Sequence, residues 1–240
     1  MRFGFAVLPL LTALIAALLA ARVGGSAVRR FAPAKLLWAF GLLLFAIAAA
    51  AEAYGESDGW GSASFRAYYL AGGCLTVGFL GVGSALLSLP RDPGLVLVGA
   101  LTTATVGAVV GVLVADLDPA ILAAAHGHRP PANDALTGHA FVWAIAINTV
   151  GSLLLLGSSV ASIVRRRRVA ANVALVVGIA IVALSGTLTR FGSYGFVYVG
   201  QIVGLVLLAA GFERAVRMAV ARPRVRGLAV SAARSDPTAS

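Results

Sequence analysis

Seven long apolar segments dominate this sequence and limit what the chain can fold into. A bilayer core about 30 Å thick is crossed by about 20 helical residues, and a spanning segment must satisfy its own backbone hydrogen bonds, so each segment is expected to be a helix. Charged residues make up only 12% of the chain, about half the fraction of a soluble domain. The sequence therefore predicts an all-α, seven-transmembrane-helix bundle in one domain, residues 1–212. The predicted helices cover residues 3–21, 36–54, 67–89, 93–115, 139–162, 169–189 and 194–212.

The first segment has an alternative interpretation as a cleaved signal peptide, with Arg2 as its charged start. The apolar core of a signal peptide is usually about 7–15 residues long, which is shorter than this segment. We therefore interpret it as a retained helix, and cleavage stays open as the alternative.

The positions of the basic residues predict the orientation of the bundle. Cytoplasmic loops collect Lys and Arg. With the N-terminus outside, 15 of the 19 Lys and Arg residues lie inside, and those outside are Arg2, Arg66, Arg129 and Arg190. The prediction is N-terminus outside and C-terminus cytoplasmic, in the cell membrane. The tail, residues 213–240, is expected to be basic and then disordered.

We interpret the net charge of +10 as a signal of membrane orientation and not of nucleic-acid binding. We expect anionic lipid head groups at the cytoplasmic face to be its partner.

Two similar five-residue stretches raise the hypothesis of an internal repeat. "SAVRR" (Ser26–Arg30) follows the first segment and "SIVRR" (Ser162–Arg166) follows the fifth. Segments one to three would then correspond to segments five to seven, giving a 3+1+3 parallel repeat, an arrangement that resembles SWEET-type sugar transporters. Parallel repeats about an axis along the membrane normal occur in transporters. The alternative is that any two Arg-rich inside loops show a short similarity of this kind by chance.

Polar residues within the segments concentrate toward the predicted outer side. Two amides, Asn148 and Gln201, lie roughly 10–14 Å below the outer boundary at 1.5 Å per helical residue. Polar groups in hydrocarbon usually face a bundle interior or a water-filled cavity. We therefore predict an outward-facing ligand pocket, and we hypothesise that Glu52 pairs with Arg66 or Arg190. The predicted pocket residues are Glu52, Arg66, Tyr69, Asn148, Arg190, Tyr198 and Gln201.

This pocket has a simpler alternative. Tyr near helix ends forms the ordinary aromatic belt of membrane proteins, and Arg there can reach the head groups. The two amides could also bond between helices without any ligand.

The long outer loop "DLDPAILAAAHGHRPPANDALTGH" raises the question of a metal site. Imidazole and carboxylate groups bind zinc or copper, but their spacing here matches no metal motif. We expect no cofactor. The residues that would ligate a metal are Asp116, Asp118, His126, His128 and His139.

Familiar enzyme motifs are missing: there is no Gly-x-Ser-x-Gly elbow, phosphate loop, His-Glu-x-x-His or Cys-x-x-Cys. The leading hypothesis is a non-enzymatic protein that binds or transports an unknown small molecule. The alternatives are a sensor or scaffold subunit acting through a protein partner, as a homo- or hetero-oligomer, and a membrane enzyme with an outer active site.

Resemblances to known families add architecture only. The second segment, "LLWAFGLLLFAIAAAAEAYGE", resembles helices in the seven-helix input regions of bacterial sensor kinases, but no kinase domain follows it. Seven helices also invite comparison with rhodopsins, whose retinal needs a lysine in the last helix, and the only lysine here is Lys35. The whole chain is similar to multi-pass membrane proteins of actinobacterial type, which implies no particular activity.

Overall fold

The protein is an all-helical bundle within the residues that the structure describes. The computed structural model describes residues 3–28, 32–125, 130–131, 135–136, 138–188 and 194–234. The α-helices are α1 (Phe3–Val28), α2 (Pro33–Asp58), α3 (Ser62–Tyr68), α4 (Thr76–Ala85), α5 (Arg91–Val114), α6 (Pro119–Ala124), α7 (Ala140–Val164), α8 (Val169–Leu188) and α9 (Tyr194–Arg234). A π-helical segment, Tyr69–Leu75, joins α3 to α4 without a break.

Each of the seven predicted apolar segments is helical in the structure. Six helical stretches are long and apolar enough to cross a membrane, and the described apolar part of α8, Val169–Val182, is shorter. This is the composition of an integral membrane protein. The last helix differs from the prediction, since α9 continues to Arg234 instead of ending at residue 212. The Ala, Val and Arg residues beyond that point are compatible with a helix, although they are less apolar than a membrane span.

Six helices, with α8 included and α5 excluded, pack against one another in a closed ring. Contacts join α1 to α2, α2 to α4, α4 to α7, α7 to α8, α8 to α9, and α9 back to α1. An ion pair between Arg22 and Glu213, 2.8 Å long, bridges the contact between α1 and α9. Helix α5 stands outside the ring, where it packs against α4, α7 and the π-helical segment.

Glycines allow the closest contact in this ring, between α4 and α7. A Cβ atom built on Gly81 would collide with the carbonyl oxygen of Gly151, and one built on Gly151 would lie 2.6 Å from the carbonyl oxygen of Val77. Lipid removes most of the hydrophobic drive for helix association, so small residues that let backbones approach are favoured in such contacts. Any side chain at either glycine would push α4 and α7 apart.

Trp38 connects three helices at the opposite end of α2 from Glu52. Its indole stacks on Phe212 of α9 with ring centroids 4.0 Å apart, and its Nε1 donates to Ser84 Oγ of α4 at 3.0 Å. The side chain is fully buried. A buried indole needs a partner for its N–H, and Ser84 supplies one. This contact holds α2, α4 and α9 together at that end.

The long loop between α5 and α7 folds back onto the bundle. Asp118 N donates to Ala135 O at 3.0 Å, and Leu117 and Leu136 form an isolated bridge. Leu122 and Leu136 are buried in the same apolar cluster as residues of α5 and α7. The described part of the loop therefore covers the end of the bundle to which Glu52 belongs.

Replacing Gly151 with alanine is expected to destabilise the bundle, because the added methyl group would meet the backbone of α4. Overpacking of this kind costs typically about 1–3 kcal/mol. The measurement is the free energy of unfolding of the purified protein in detergent, titrated with a denaturing detergent.

Gly157→Ala in the same helix is the matched control, because a Cβ at Gly157 meets nothing within 4 Å. Its stability should stay the same or rise by up to about 1 kcal/mol from helix propensity. Equal losses in the two variants would show that close packing at Gly151 is not what alanine disturbs.

Candidate functional site

A cavity of about 410 Å³ lies between the helices of the ring. Small-molecule sites typically measure about 300–1,000 Å³, so this volume is enough for a small ligand. Its walls come from five helical stretches, α8 among them, and neither α1 nor α5 contributes. The lining residues are Phe45, Ala48, Ala49, Glu52, Tyr68, Gly72, Gly73, Thr76, Val77, Leu80, Ser152, Leu155, Ile179, Val182, Gln201, Leu205 and Leu208.

The ionisable and amide side chains of this cavity gather at one end. Glu52 lies at the C-terminal end of α2, Tyr68 in the last turn of α3 and Gln201 in the second turn of α9. These three positions share one end of the bundle because α2 runs opposite to α3 and α9. The other end is closed by leucines of α4, α7 and α9. A ligand suited to this shape has a polar head and an apolar body.

Glu52 belongs to a group of three side chains that bond one another. Glu52 and Glu56 are four residues apart on α2 and so share one face of the helix. The hydroxyl oxygen of Tyr198, on α9, lies 2.8 Å from Glu56 Oε1 and 3.1 Å from Glu52 Oε1. Glu56 and Tyr198 are buried, and Glu52 is half-buried at the cavity wall.

The number of protons in this group limits how both bonds can form. A tyrosine hydroxyl has one proton to donate, and an ionised carboxylate only accepts. When Tyr198 donates to one glutamate, the second contact is a full hydrogen bond if the other carboxyl group is protonated and donates to the tyrosine oxygen. The three oxygens therefore form a place where a proton can be held beside the cavity.

Asn148 donates hydrogen bonds to backbone carbonyls and does not line the cavity. Its Nδ2 donates to Gly73 O in the π-helical segment and to Ala144 O in its own helix at 2.8 Å. A π-helical turn displaces carbonyls from the regular ladder, and carbonyls in hydrocarbon need a donor. Asn148 thus stabilises the segment whose glycines, Gly72 and Gly73, form a wall of the cavity.

Arg66 also bonds backbone carbonyls, and it does not pair with Glu52. Its guanidinium donates to Val112 O, to Leu113 O at 2.7 Å and to Ala115 O at 2.8 Å. The last carbonyls of a helix have no partner within the helix, so Arg66 caps the C-terminal end of α5. The hypothesised ion pair between Glu52 and Arg66 is not present, and its alternative partner, Arg190, lies outside the described residues.

The remaining predicted pocket residues divide between the cavity and its surroundings. Gln201 lines the cavity with no hydrogen-bond partner among the described side chains and backbone. Tyr198 holds the two glutamates. Tyr69 is buried beside Phe65, with ring centroids 6.1 Å apart, and it does not line the cavity. The structure therefore brings Glu52, Tyr198 and Gln201 together and places Arg66, Tyr69 and Asn148 around them.

The loop residues considered for metal binding are spread apart where they are described. The Asp118 carboxylate accepts from Ala120 N at 2.8 Å and caps α6. His139 precedes α7 and is exposed, and Asp116 is exposed near the end of α5. His126 and His128 lie outside the described residues. Across the described part of the chain, no three His, Cys, Asp or Glu side chains converge on one point.

Two residues of this site were missed from the sequence, Glu56 and Tyr68. Glu56 was placed beyond the predicted end of the second helix, at residue 54, whereas α2 continues to Asp58. The four-residue spacing from Glu52 is the signal that could have found it. Tyr68 gave no signal that separates it from an ordinary tyrosine of the aromatic belt.

Comparisons with protein families, with curated proteins and with solved structures find no match for this chain. The class is therefore defined by its fold and its cavity. This is an apolar helical bundle of the integral-membrane type, with a cavity whose polar end holds a glutamate and an amide.

Tyr198→Phe is expected to destabilise the protein, because it removes the hydroxyl that bonds both glutamates. Leaving a buried polar group without its partner costs about 1–3 kcal/mol. The measurement is the free energy of unfolding in detergent. Tyr54→Phe in α2 is the matched control, since Tyr54 is 58% exposed. If both variants were as stable as the parent, the hydroxyl bridge would contribute nothing to the fold.

Asn148→Ala is expected to weaken the contact between α7 and the π-helical segment. Hydrogen bonds between membrane helices are worth about 0.6 kcal/mol on average and at most about 1.7, so a loss in that range is expected in the same unfolding assay. Thr102→Ala removes an exposed hydroxyl that bonds only its own helix, at Val98 O, and should change stability little. An Asn148→Ala protein no less stable than this control would contradict the role of the amide.

Proposed function

We propose that the chain is a seven-helix protein of the cell membrane, with its N-terminus outside, that binds and transports a small molecule through this cavity. The cavity carries the proposal: about 410 Å³, apolar along most of its length and polar at one end. A soluble ligand with an apolar body and a cationic or hydrogen-bond-donating head fits this chemistry, because Glu52 supplies acceptor oxygens and Gln201 supplies an amide.

The charge distribution supports the orientation. The polar end of the cavity lies near the C-terminal end of α2 and the N-terminal end of α9. Arginines are in excess at the opposite ends of the helices, and this excess supports placing the polar end on the outer side. The cavity would then open toward the outside. Helix α8 is 20 residues long, about 30 Å at 1.5 Å per residue, and this length supports counting it as a seventh span.

The order of helices in the ring supports the 3+1+3 repeat. If the first three spans correspond to the last three, the α1–α2 contact matches α7–α8, and the α2–α4 contact matches α8–α9. The α4–α7 contact then matches the α9–α1 contact. The remaining span, α5, lies outside the ring, as a connecting helix would. Two halves related in this way could move against each other around a central cavity, as transporters do.

A second candidate function is a sensor or scaffold subunit that acts through a protein partner. The length of α9 favours it: 41 residues extend about 60 Å, twice the thickness of the bilayer core. A helix that leaves the membrane could pass a change at the cavity to a partner at the cytoplasmic face. In that case, ligand binding would occur without transport.

Two permanently charged probes test the ligand chemistry. Benzyltrimethylammonium joins an apolar ring to a cation, and benzenesulfonate joins the same ring to an anion. The cation is expected to raise the melting temperature of the purified protein, and Glu52→Gln is expected to weaken its affinity roughly tenfold, the equivalent of about 1.4 kcal/mol. Asp58→Asn, at an exposed position at the end of the same helix, is the matched control and should bind as the parent does.

Uptake of the labelled cation into proteoliposomes then separates the two candidate functions. Uptake that depends on the protein and falls in Glu52→Gln supports transport. Binding without uptake would favour the sensor. Equal stabilisation by both probes, or equal binding by Glu52→Gln and Asp58→Asn, would overturn the assignment of Glu52 as the group that contacts the ligand head.

A further inference from the structure

A second cavity lies at the other end of the bundle, beside the loop that joins α7 to α8. Its volume is about 360 Å³. One side consists of Leu87 and Leu89, which follow α4, together with residues of the last three turns of α7. The other side is arginine. The lining residues are Ala85, Leu87, Ser88, Leu89, Leu153, Leu154, Gly157, Ser158, Ala161, Ser162, Arg165, Arg167 and Arg168.

The arginine loop is held in one conformation by side-chain hydrogen bonds. Asn172, a buried residue of α8, donates through Nδ2 to Arg168 O at 3.0 Å and to Ser162 Oγ at 2.9 Å. Ser162 Oγ in turn donates to Arg167 O at 2.7 Å. These bonds tie the loop to both of the helices that it connects.

The same loop holds two arginines in a backbone conformation that costs energy. Arg166 and Arg168 have φ values of 51°, in the left-handed region that residues other than glycine rarely adopt. Such residues persist where the surroundings fix them, and Asn172 and Ser162 do so here. A left-handed residue directly after the C-cap is a common helix ending, and here it gives the arginines fixed backbone positions beside the groove.

The cavity opens toward the surface that would face lipid. Leu153 is 68% exposed and Leu89 is 40% exposed, although both line the cavity. Gly157 leaves the space between them open, because a Cβ there meets nothing within 4 Å. An acyl chain could therefore lie along the leucines while its head group meets the arginines.

We propose that this groove binds one phospholipid with an anionic head group, its phosphate held by Arg165 and Arg167 and one acyl chain packed along Leu89, Leu153 and Leu154. Arginine donates to phosphate oxygens in a fixed, bidentate geometry, which matches the positive side of the groove. The apolar side distinguishes a lipid from a free anion, since a phosphate ion would leave the leucines uncovered. The site is separate from the cavity that holds Glu52.

Native mass spectrometry of the full-length protein in detergent tests the charged side of the groove. Phosphatidylglycerol is expected to bind at one site more tightly than phosphatidylcholine of the same chain length. Arg165→Gln/Arg167→Gln should weaken phosphatidylglycerol binding roughly tenfold or more. The control, Arg91→Gln/Arg214→Gln, removes the same charge from two exposed arginines that do not line the groove, and it should bind as the parent does.

Gly157→Phe tests the apolar side, because it fills the groove and leaves every charge in place. Phosphatidylglycerol binding should fall, whereas Gly99→Phe, at another open position, should leave it unchanged. Melting temperatures establish that each variant is folded, and Arg165→Lys/Arg167→Lys offers a milder substitution if the Gln variant is not.

Three outcomes would overturn the proposal. Equal losses in the two double-arginine variants would mean general attraction to the membrane surface. Competition by glycerol 3-phosphate at the affinity of the intact lipid would mean an anion site without an acyl chain. Unchanged binding in Gly157→Phe would mean that the lipid does not occupy the groove.

Discussion

A carbonyl group inside a bilayer has no water to bond, so each carbonyl that a helix releases must find a donor within the protein. This chain supplies side-chain donors at three points where its backbone leaves the regular α-helix, in one span, at the end of another and in a loop. Asn148 donates to the π-helical segment, Arg66 donates to the end of α5, and Asn172 donates to the loop between α7 and α8. Each donor comes from a different element, so each bond also fixes how two elements pack.

These bonds explain why the cavity has the shape it has. The π-helical segment brings Gly72 against α2, where a Cβ atom would lie 2.8 Å from Ala48 Cβ, and leaves room beside Gly73 and Thr76. Asn148 holds that irregular segment in place from α7. Of the polar side chains at the cavity wall, Thr76 bonds the backbone carbonyl of Ala71, whereas Glu52 and Gln201 form no hydrogen bond with the described backbone.

The two cavities differ in chemistry because they lie at opposite ends of the bundle. The glutamate end has acceptor oxygens and an amide, whereas the loop between α7 and α8 brings arginines against leucines. The cationic end matches the phosphates of a lipid leaflet. The acidic end matches a ligand that carries a cation or hydrogen-bond donors. The two proposed ligands, a lipid and a solute, would therefore bind at opposite ends and would not compete.

Much of the helical architecture could be predicted from sequence alone. The apolar segments are helical to within a few residues, with three exceptions: α1 continues to Val28, the third span begins at Ser62 with α3, and the last helix is longer. These features follow from composition and length, because hydrocarbon allows few other structures. Glu52 and Gln201 were also predicted to line a pocket, and both lie at the cavity wall, since polar residues deep in apolar segments avoid lipid.

Only the tertiary structure decided which polar residues serve the backbone and which face the cavity. Depth in the membrane cannot separate Asn148 from Gln201, yet one bonds the carbonyl of Gly73 and the other lines the cavity. Arg66 was expected beside Glu52 but caps α5, and Glu56 joins Glu52 through Tyr198. A one-dimensional pattern gives the depth of a side chain and its face on a helix. Its partner depends on how the helices rotate and where their backbones are left unpaired, and packing determines both.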